Sequence, residues 1–213
     1  MHIAERTVTF VQGFLKSYGP SNIKKRLWDR EFSGTKWNFI DNTAGDCIYR
    51  NLEKFSRNGD ILDLGCGPGN TANELASTAY RSYAGVDISE AALAKAVKRT
   101  QECGRTEKNS FACADFLAYM PTKEFDVILF RESMYHIPYG QVQEILDRFS
   151  KCLKRDGVFM VRLYVADAKS GKTKHRVTSK INLIKREFDV VESNEYDSPG
   201  HPAVLIFRPK RKK

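Results

Sequence analysis

The stretch "ILDLGCGPGN", from Ile61 to Asn70, decides the fold of this chain, because a short apolar run leads directly into three glycines. Glycine adopts backbone angles that other residues avoid, and it lets backbone amides come close to a bound molecule. In open α/β sheets, ligands bind outside the carboxyl ends of the strands. The stretch therefore predicts a strand, a ligand-binding loop at Gly65, Gly67 and Gly69, and a helix after the loop.

An acidic residue further along the chain supports this interpretation. In "GVDIS", Asp87 ends the next predicted strand, 22 residues after Gly65. A carboxylate at this spacing accepts hydrogen bonds from both hydroxyls of a ribose, so the ligand is predicted to be an adenosine derivative. Asp63 stands two residues before Gly65, where a carboxylate suits a ligand that carries an ammonium group.

Two other kinds of nucleotide site fit the loop less well. The dinucleotide fingerprint requires glycine at the sixth position, where this chain has Asn70. A phosphate loop requires Gly-Lys-Ser or Gly-Lys-Thr, which does not follow these glycines. Both mismatches favour a nucleoside ligand over one that is held by its pyrophosphate.

Strands and helices alternate from Asp60 onward. The predicted strands are DILDLG, RSYAGVD, SFACAD, FDVILFRE, VFMVRLYV, DVVESNEY and AVLIFRP, and the predicted helices are NTANELASTAY, SEAALAKAVKRTQECG, QVQEILDRFSKCLKRDG and SKINLIKREF. Asn70 and Ser89 are the expected caps of the first two helices. The alternation predicts an α/β fold with a doubly wound, mostly parallel sheet. The short connection "DSPGHP" predicts that the last two strands form an antiparallel hairpin.

The length of 213 residues suits one domain. We expect an N-terminal lid or flank at residues 1–57, the α/β core at 58–208 and a basic tail at 209–213. The five cysteines are scattered without a Cys-x-x-Cys pair, so neither a zinc site nor a disulfide framework is expected. The start of the chain lacks the apolar block of a signal peptide, and no apolar run approaches the roughly 18 residues that span a bilayer. A cytoplasmic protein without a membrane partner is therefore expected.

The net charge of +9 raises the question of a nucleic-acid partner. Five of the positive charges lie in the last six residues, "RPKRKK", which are typical of a solvated tail. A second basic cluster, "KSGKTKHR" at residues 169–176, contains no aromatic residue on which a base would stack. The charge distribution therefore favours a small-molecule partner over nucleic acid.

Four motifs occur in a recognisable order: "LDLGCGPGN", "GVDIS", "CADF" and "FDVILFRESMYHI". Together they resemble the ordered motifs of class I S-adenosylmethionine-dependent methyltransferases over about residues 58–165. The predicted hairpin agrees with the reversed edge strand of that family. The resemblance implies a Rossmann-like α/β fold, S-adenosylmethionine as the cofactor, and methyl transfer as the activity.

The resemblance also implies roles for residues of the glycine loop and of the fourth predicted strand. Asp63, Gly65 and Gly67 would surround the methionine portion of the cofactor, and Cys66 and Asn70 belong to the same loop. Arg131 would contribute its backbone near the amino acid end of the cofactor. From the residues alone, Asp63 has an alternative role as the cap of a neighbouring turn.

The nucleoside half is assigned by the same resemblance. Asp87 would bind the ribose, and Ile88 would pack against the adenine. Asp115 would accept a hydrogen bond from the adenine amino group, with Phe116 as a neighbouring contact. Alternatively, Asp115 is the N-cap of the turn that follows its strand.

The segment "RESMYHIP" carries the candidate catalytic residues. His136 is predicted to act as a general base, because histidine titrates near neutral pH, and Tyr135 and Glu132 are predicted to orient the base or the acceptor. Alternatively, His136 only packs under the loop or contacts the cofactor. Some relatives bind a divalent ion through Glu-x-x-Glu-His, but Tyr135 replaces the second glutamate here, so we expect no metal.

The N-terminal flank is the segment from which we predict the class of acceptor. The N-terminal flank is rich in aromatic residues, Tyr18, Trp28, Phe32, Trp37 and Phe39, which would form a lid over a small organic substrate. We expect methylation of an oxygen or nitrogen of a small molecule, such as a sugar or a secondary metabolite. The alternatives are an RNA or protein methyltransferase that uses the basic tail, and a cofactor-binding subunit without catalysis. The oligomeric state stays open.

Overall fold

The computed structural model describes residues 11–34, 37, 43–164, 171–194 and 202–210, with residues 171–176 described by their backbone alone. Phe39 of the predicted lid, residues 211–213 of the predicted tail, and the side chains of the basic cluster at 169–176 lie outside the described residues. The division into flank, core and tail stays a prediction.

Seven strands of the described chain form one sheet in the order β3-β2-β1-β4-β5-β7-β6. The strands are β1 Gly59–Leu64, β2 Tyr80–Asp87, β3 Asn109–Cys113, β4 Phe125–Arg131, β5 Leu153–Tyr164, β6 Phe188–Asn194 and β7 Pro202–Pro209. The first five strands pair in parallel, whereas β7 runs antiparallel between β5 and β6. This topology confirms the predicted doubly wound sheet and its closing hairpin.

Helices cover both faces of the sheet. Residues 11–18 are helical (α1), followed by α2 Ser21–Ser33, α3 Cys47–Ser56, α4 Asn70–Glu74, α5 Glu90–Glu102, α6 Val142–Ser150 and α7 Gly171–Glu187, with 3-10 turns at Met134–His136 and Tyr139–Gln141. In the parts of the chain that are described, none of these helices has the length and apolarity that a membrane crossing requires.

The apolar core is divided by the sheet, and β1 shows how. Ile61 belongs to the cluster that α3 covers, whereas Leu62 and Leu64 belong to the cluster that α6 and α7 cover. Successive side chains of a strand point to opposite faces, so a strand buried on both faces is apolar at every position. The exceptions are two buried carboxylates, Asp60 near the start of β1 and Asp63 near its carboxyl end.

The glycine loop requires backbone angles that favour glycine. Gly65 and Gly69 have positive φ values of 82° and 76°. A Cβ atom on Gly69 would lie 2.7 Å from the Cβ of Ala96 in α5, so the loop and that helix approach too closely for a side chain. Gly69 also occupies the N-cap of α4, so the prediction that Asn70 caps this helix is wrong. Ser89 does cap α5, because its hydroxyl accepts from the amide of Ala92 at 3.2 Å.

Substituting two glycines separates backbone strain from steric overlap. Gly104 also has a positive φ, 64°, but a Cβ there would meet nothing within 4 Å. We expect Gly104→Ala to lower the free energy of unfolding by about 1–2 kcal/mol through strain alone. Gly69→Ala adds overpacking against Ala96 and should cost about 2–5 kcal/mol. Urea unfolding of both variants measures the difference, and equal losses would show that the contact with α5 relaxes freely.

Candidate active site

A cavity of about 1020 Å³ opens at the carboxyl ends of the central strands. It is lined by every residue that the sequence predicted for cofactor binding and by all three of the predicted catalytic residues. The parallel topology explains this meeting, because residues that follow β1, β2, β3 and β4 all reach the same edge of the sheet. The roles of these residues stay predictions.

Asp87 joins the end of β2 to the glycine loop. Its Oδ2 accepts a hydrogen bond from the amide of Gly67 at 2.8 Å, and its Oδ1 accepts from the amide of Ser89 at 2.9 Å. Burial raises the pKa of this carboxyl, and the backbone amides oppose that shift. A carboxylate has about four acceptor positions, so Asp87 retains the capacity to accept from the hydroxyls of a ligand.

Asp63 is the deepest acid of the cavity. Its Oδ2 accepts from the hydroxyl of Tyr83 at 2.6 Å, but its buried Oδ1 meets no hydrogen-bond partner within the described residues. Burial raises the pKa of Asp63 to about 6, although the Tyr83 hydrogen bond, the charge of Arg131 and the nearby Thr71 hydroxyl, which lies beyond hydrogen-bond distance, lower it. A buried acceptor without a donor is costly, so this oxygen suits an N–H donor or a cation that a ligand brings.

Asp115 is already engaged by two parts of the chain. Its Oδ1 accepts from the amide of Leu117 at 3.0 Å, which is the capping geometry of the alternative interpretation. Its Oδ2 accepts from the hydroxyl of Ser21 at 2.9 Å and from Nζ of Lys24 at 3.1 Å, both on α2. An adenine amino group would therefore share or replace the donors that α2 supplies.

The remaining predicted cofactor residues have mainly local contacts. Cys66 is buried in the glycine loop, where burial and the nearby acids raise the pKa of its thiol, so it acts as a small apolar residue. The side-chain amide of Asn70 donates to Glu74 at 3.0 Å. Ile88 and Phe116 line the cavity, and Phe116 packs against the core.

The side chain of Arg131 takes part in a hydrogen-bond network beside the cavity, which the sequence did not predict. It is the last residue of β4, and its guanidinium donates to Asp46 at 2.8 Å and to the hydroxyl of Tyr49 at 3.0 Å. Asp46 caps α3 by accepting from the amide of Ile48, and it also binds Arg162 of β5 at 3.0 Å. Asp46 therefore links two cavity arginines.

Sequence reasoning missed Asp46 and Arg162. Each has a signal in hindsight: Asp46 directly precedes the apolar pattern of α3, as a helix cap does, and Arg162 is a charge near the end of an otherwise apolar strand. Neither signal alone indicates that the two residues meet across 116 positions of sequence.

Glu132 and Tyr135 bind each other. Glu132 has a positive φ of 57°, an uncommon backbone conformation for a side chain of this size and one that is often found at functional sites. Its carboxylate accepts from the hydroxyl of Tyr135 at 2.7 Å, from the amide of Tyr164 at 3.2 Å, and from the guanidinium of Arg162. Burial and the charge of Glu132 raise the pKa of Tyr135, so this phenol stays protonated and donates.

The prediction that His136 titrates near neutral pH is wrong for the ligand-free protein. Burial lowers its pKa to about 4, and the positive charges of Lys16, Lys180 and Lys24 act in the same direction. Its ring meets that of Trp28 edge to face, with centroids 4.9 Å apart. At pH 7 the imidazole is therefore neutral and packed, and a group with so low a pKa is a weak general base.

Two contacts hold α2 against the core beside this cavity. Asp29 accepts from the hydroxyl of Ser89 at 2.8 Å and from the amide of Ala91 at 3.2 Å, at the start of α5. On the same helix, Trp28 and Phe32 turn toward the cavity, with ring centroids 6.0 Å apart. The described part of the predicted aromatic flank thus lies beside the predicted catalytic residues.

In the described ranges, no group of three or more histidine, cysteine, aspartate and glutamate side chains has the geometry to hold a metal ion. The ionisable residues of the cavity instead pair with one another, as in Asp46 with Arg131 and Lys24 with Asp115.

Comparison with known proteins agrees with this geometry. Residues 37–197 match a family model described as a methyltransferase domain. This chain belongs to the class I S-adenosylmethionine-dependent methyltransferases. The cofactor of the family is S-adenosylmethionine.

This chain is similar to two curated relatives over part of its length. It is 31% identical to phosphoethanolamine N-methyltransferase 2 of Caenorhabditis elegans over 137 residues, which are 60% of this chain and 29% of that protein. It is 30% identical to the ubiquinone biosynthesis O-methyltransferase of Aromatoleum aromaticum over 118 residues, 55% of this chain and 49% of that protein. The match thus spans less than half of each of these two relatives.

The fold is similar to that of a crystallised methyltransferase. The N-methyltransferase NodS from Bradyrhizobium japonicum WM9, in complex with S-adenosyl-L-homocysteine, superposes with a TM-score of 0.67 at 19% identity. The superposition covers 88% of this chain and 98% of NodS. At this identity the likeness shows the shared fold.

The cavity of this chain fits the cofactor of its family. The cofactor carries an ammonium group and two ribose hydroxyls, all of them donors. The buried Oδ1 of Asp63 has no donor within the described residues, and Asp87 retains acceptor positions beside the glycine loop. Acceptors on the protein therefore complement the donors of the ligand.

The raised pKa of Asp63 leads to a pH dependence of cofactor binding. A positively charged ligand binds the ionised carboxylate better, so binding weakens where Asp63 is protonated in the free protein. We expect affinity for S-adenosylmethionine to rise about tenfold from pH 5 to pH 7 and then to level off. Isothermal titration calorimetry across this range measures it. Asp63→Asn should bind weakly with a flatter profile, and a wild-type affinity independent of pH would contradict the assignment.

The pKa of His136 is measurable directly. We expect its imidazole C–H resonances to titrate with a midpoint near pH 4, well below the ordinary value of about 6.5, because the ring is buried beside three lysines. Proton NMR of the ligand-free protein follows the titration, and the spectrum of His136→Gln identifies the resonance. A midpoint near 6.5 would show an accessible ring and would restore the general-base assignment.

Proposed function

We propose that this chain transfers a methyl group from S-adenosylmethionine to an oxygen or nitrogen atom of a small molecule. The observation that carries the proposal is the unpartnered, buried Oδ1 of Asp63 in the cavity that Gly67 and Asp87 also line. Membership of the family supports the activity. The names of the two relatives, which concern phosphoethanolamine and ubiquinone biosynthesis, support a small acceptor.

Each polar group of the cofactor has a proposed partner. Asp63 would accept from its ammonium group, and Asp87 would accept from its ribose hydroxyls. Ile88 and Phe116 would flank the adenine, whose amino group would donate to Asp115. The guanidinium of Arg131 is proposed to stabilise the carboxylate at the amino acid end, because it lies close enough to Asp63 to lower the pKa of that carboxyl.

The cofactor, when bound, would supply a methyl group on a positively charged sulfur, and the carbon of that methyl group would be open to in-line attack by the acceptor. The main tasks of the protein are then to align the acceptor with this methyl group and to exclude water. Alignment contributes as much as roughly 7–11 kcal/mol in favourable cases. The aromatic rings of Trp28, Phe32 and Trp37, whose centroids are 6.0–6.1 Å apart, are the proposed wall that excludes water.

Glu132, Tyr135 and His136 are proposed to position the acceptor. The neutral imidazole of His136 offers one acceptor and one donor nitrogen, and the hydroxyl of Tyr135 is held by Glu132. The raised pKa of Tyr135 keeps its proton in place, and the lowered pKa of His136 means that it binds a proton only in acid. Both residues are therefore proposed to orient the acceptor by hydrogen bonds, without taking up its proton.

The proposal is tested by cofactor binding. We expect Asp87→Ala to weaken binding of S-adenosylmethionine by at least tenfold, or about 1.4 kcal/mol, because it removes the proposed ribose acceptor and the contact with Gly67. Calorimetry measures the affinity, and circular dichroism checks the fold. Asp189→Ala, at an exposed position of β6, is the matched control and should bind normally. Absence of binding by the folded wild-type protein would refute the proposed function.

A further inference from the structure

Three helices bring a lysine to the part of the cavity that contains His136. Lys16 comes from α1, Lys24 from α2 and Lys180 from α7, and all three line the cavity. Their positive charges all act on His136, opposed by the negative charge of Glu31 on α2. The convergence of charges from three separate helices gives this end of the cavity its electrostatic character.

Contacts fix the position of each ammonium group. Nζ of Lys16 lies 2.5 Å from a carboxylate oxygen of Glu31 and 3.9 Å from the centroid of the Trp28 ring. Nζ of Lys180, a buried side chain, donates to the main-chain carbonyls of Met134 at 2.7 Å and of Tyr135 at 3.2 Å. Lysine side chains are ordinarily mobile, so buried and anchored ones provide a fixed charge.

Two further charged groups of the cavity, Lys24 and Glu132, also have partners. Lys24 binds Asp115 at 3.1 Å, and the carboxylate of Glu132 is held by Arg162, Tyr135 and the Tyr164 amide. Because Glu132 binds residues of β5, its carboxylate is not placed to act as the counter-ion of a cationic acceptor.

This arrangement discriminates between kinds of acceptor. A neutral hydroxyl with an ordinary pKa needs a base, and His136 is too weak a base to remove its proton. An ammonium group would be repelled by the lysines, whereas an oxyanion would be stabilised by them. Burial by itself disfavours the charged form of any group. Ionisation of an acidic hydroxyl near His136 is therefore favoured by the lysine charges and not by burial.

We propose that the acceptor is a flat molecule with an acidic hydroxyl, a phenol or an enol, and that it binds as its oxyanion beside Lys180 and the ring of Trp28. The proposal rests on the proposed methyl transfer and adds the class of substrate. The aromatic rings of Trp28, Phe32 and Trp37 lie 6.0–6.1 Å from one another and suit a flat, apolar acceptor, because an aromatic side chain packs well against another flat ring.

The transfer balances without a base from the protein. The acceptor releases its proton to water on binding, and its oxygen then brings the electron pair of the new carbon–oxygen bond. The pair of the broken carbon–sulfur bond returns to sulfur, which becomes neutral. Lys180 is therefore a specificity-determining residue, since it favours the ionised acceptor.

The test uses 4-nitrophenol, a phenol whose ionised form absorbs visible light, with the full chain bound to S-adenosyl-L-homocysteine. Calorimetry first establishes that the homocysteine derivative binds. Absorbance of the bound probe is then followed from about pH 5 to about pH 9. We expect the pKa of the bound probe to be at least one unit below its value in buffer, a tenfold preference for the phenolate.

Variants identify the source of the shift. Lys180→Met should remove at least half of it, and Lys180→Arg, which keeps the charge, should retain most of it. Lys16→Met reduces the shift independently, which keeps the test valid if Lys180→Met does not fold. Lys185→Met, at an exposed position of the same helix, is the matched control and should leave the shift unchanged.

The outcomes separate this inference from the proposed function. If the homocysteine derivative binds but the pKa of the probe is unchanged or raised, or the probe does not bind, the substrate class is refuted and the function stands. Tighter binding of benzylammonium than of the phenolate would likewise overturn it, in favour of an amine acceptor. Failure to bind the homocysteine derivative would refute both proposals.

Discussion

The hydrogen bond from the amide of Gly67 to the carboxylate of Asp87 is the interaction on which the site depends. It joins the loop after β1 to the end of β2, at 2.8 Å, where the cavity opens beside these two parallel strands. The loop reaches Asp87 because Gly65, Gly67 and Gly69 all adopt positive φ. A side chain at Gly65 or Gly69 would meet Ser133 or Ala96, so the same glycines also allow the close packing around the loop.

The electrostatics of the cavity divide it into two parts. Around the glycine loop, Asp63 and Asp87 are buried acids with raised pKa values, which is the environment that a cationic ligand relieves. Around His136, burial and the positive charges of three lysines act together, and they lower the pKa of the imidazole to about 4. A positively charged ligand at the glycine loop would lie beside acids. A negatively charged acceptor near His136 would lie beside lysines.

The two buried groups affect folding stability in opposite directions. The unfolded chain binds a proton at His136 more readily than the folded one, so this residue lowers stability as the pH falls from about 6.5 to about 4. For Asp63 the folded chain binds the proton more readily, so it lowers stability as the pH rises from about 4 to about 6. The two effects on the free energy of unfolding oppose each other between about pH 4 and pH 6. Probes of the single residues therefore separate the two titrations better than unfolding curves do.

The sequence by itself determined the α/β order, the closing hairpin and the loop at Gly65 to Gly69, because these follow from local periodicity and from the backbone needs of glycine. It also identified acids at strand ends that meet at one edge, because parallel strands end on the same side. The tertiary structure alone decided the Asp46 link between Arg131 and Arg162, the pairing of Glu132 with Tyr135, and the neutral state of His136. These depend on burial and on charges from distant helices, which local patterns do not encode.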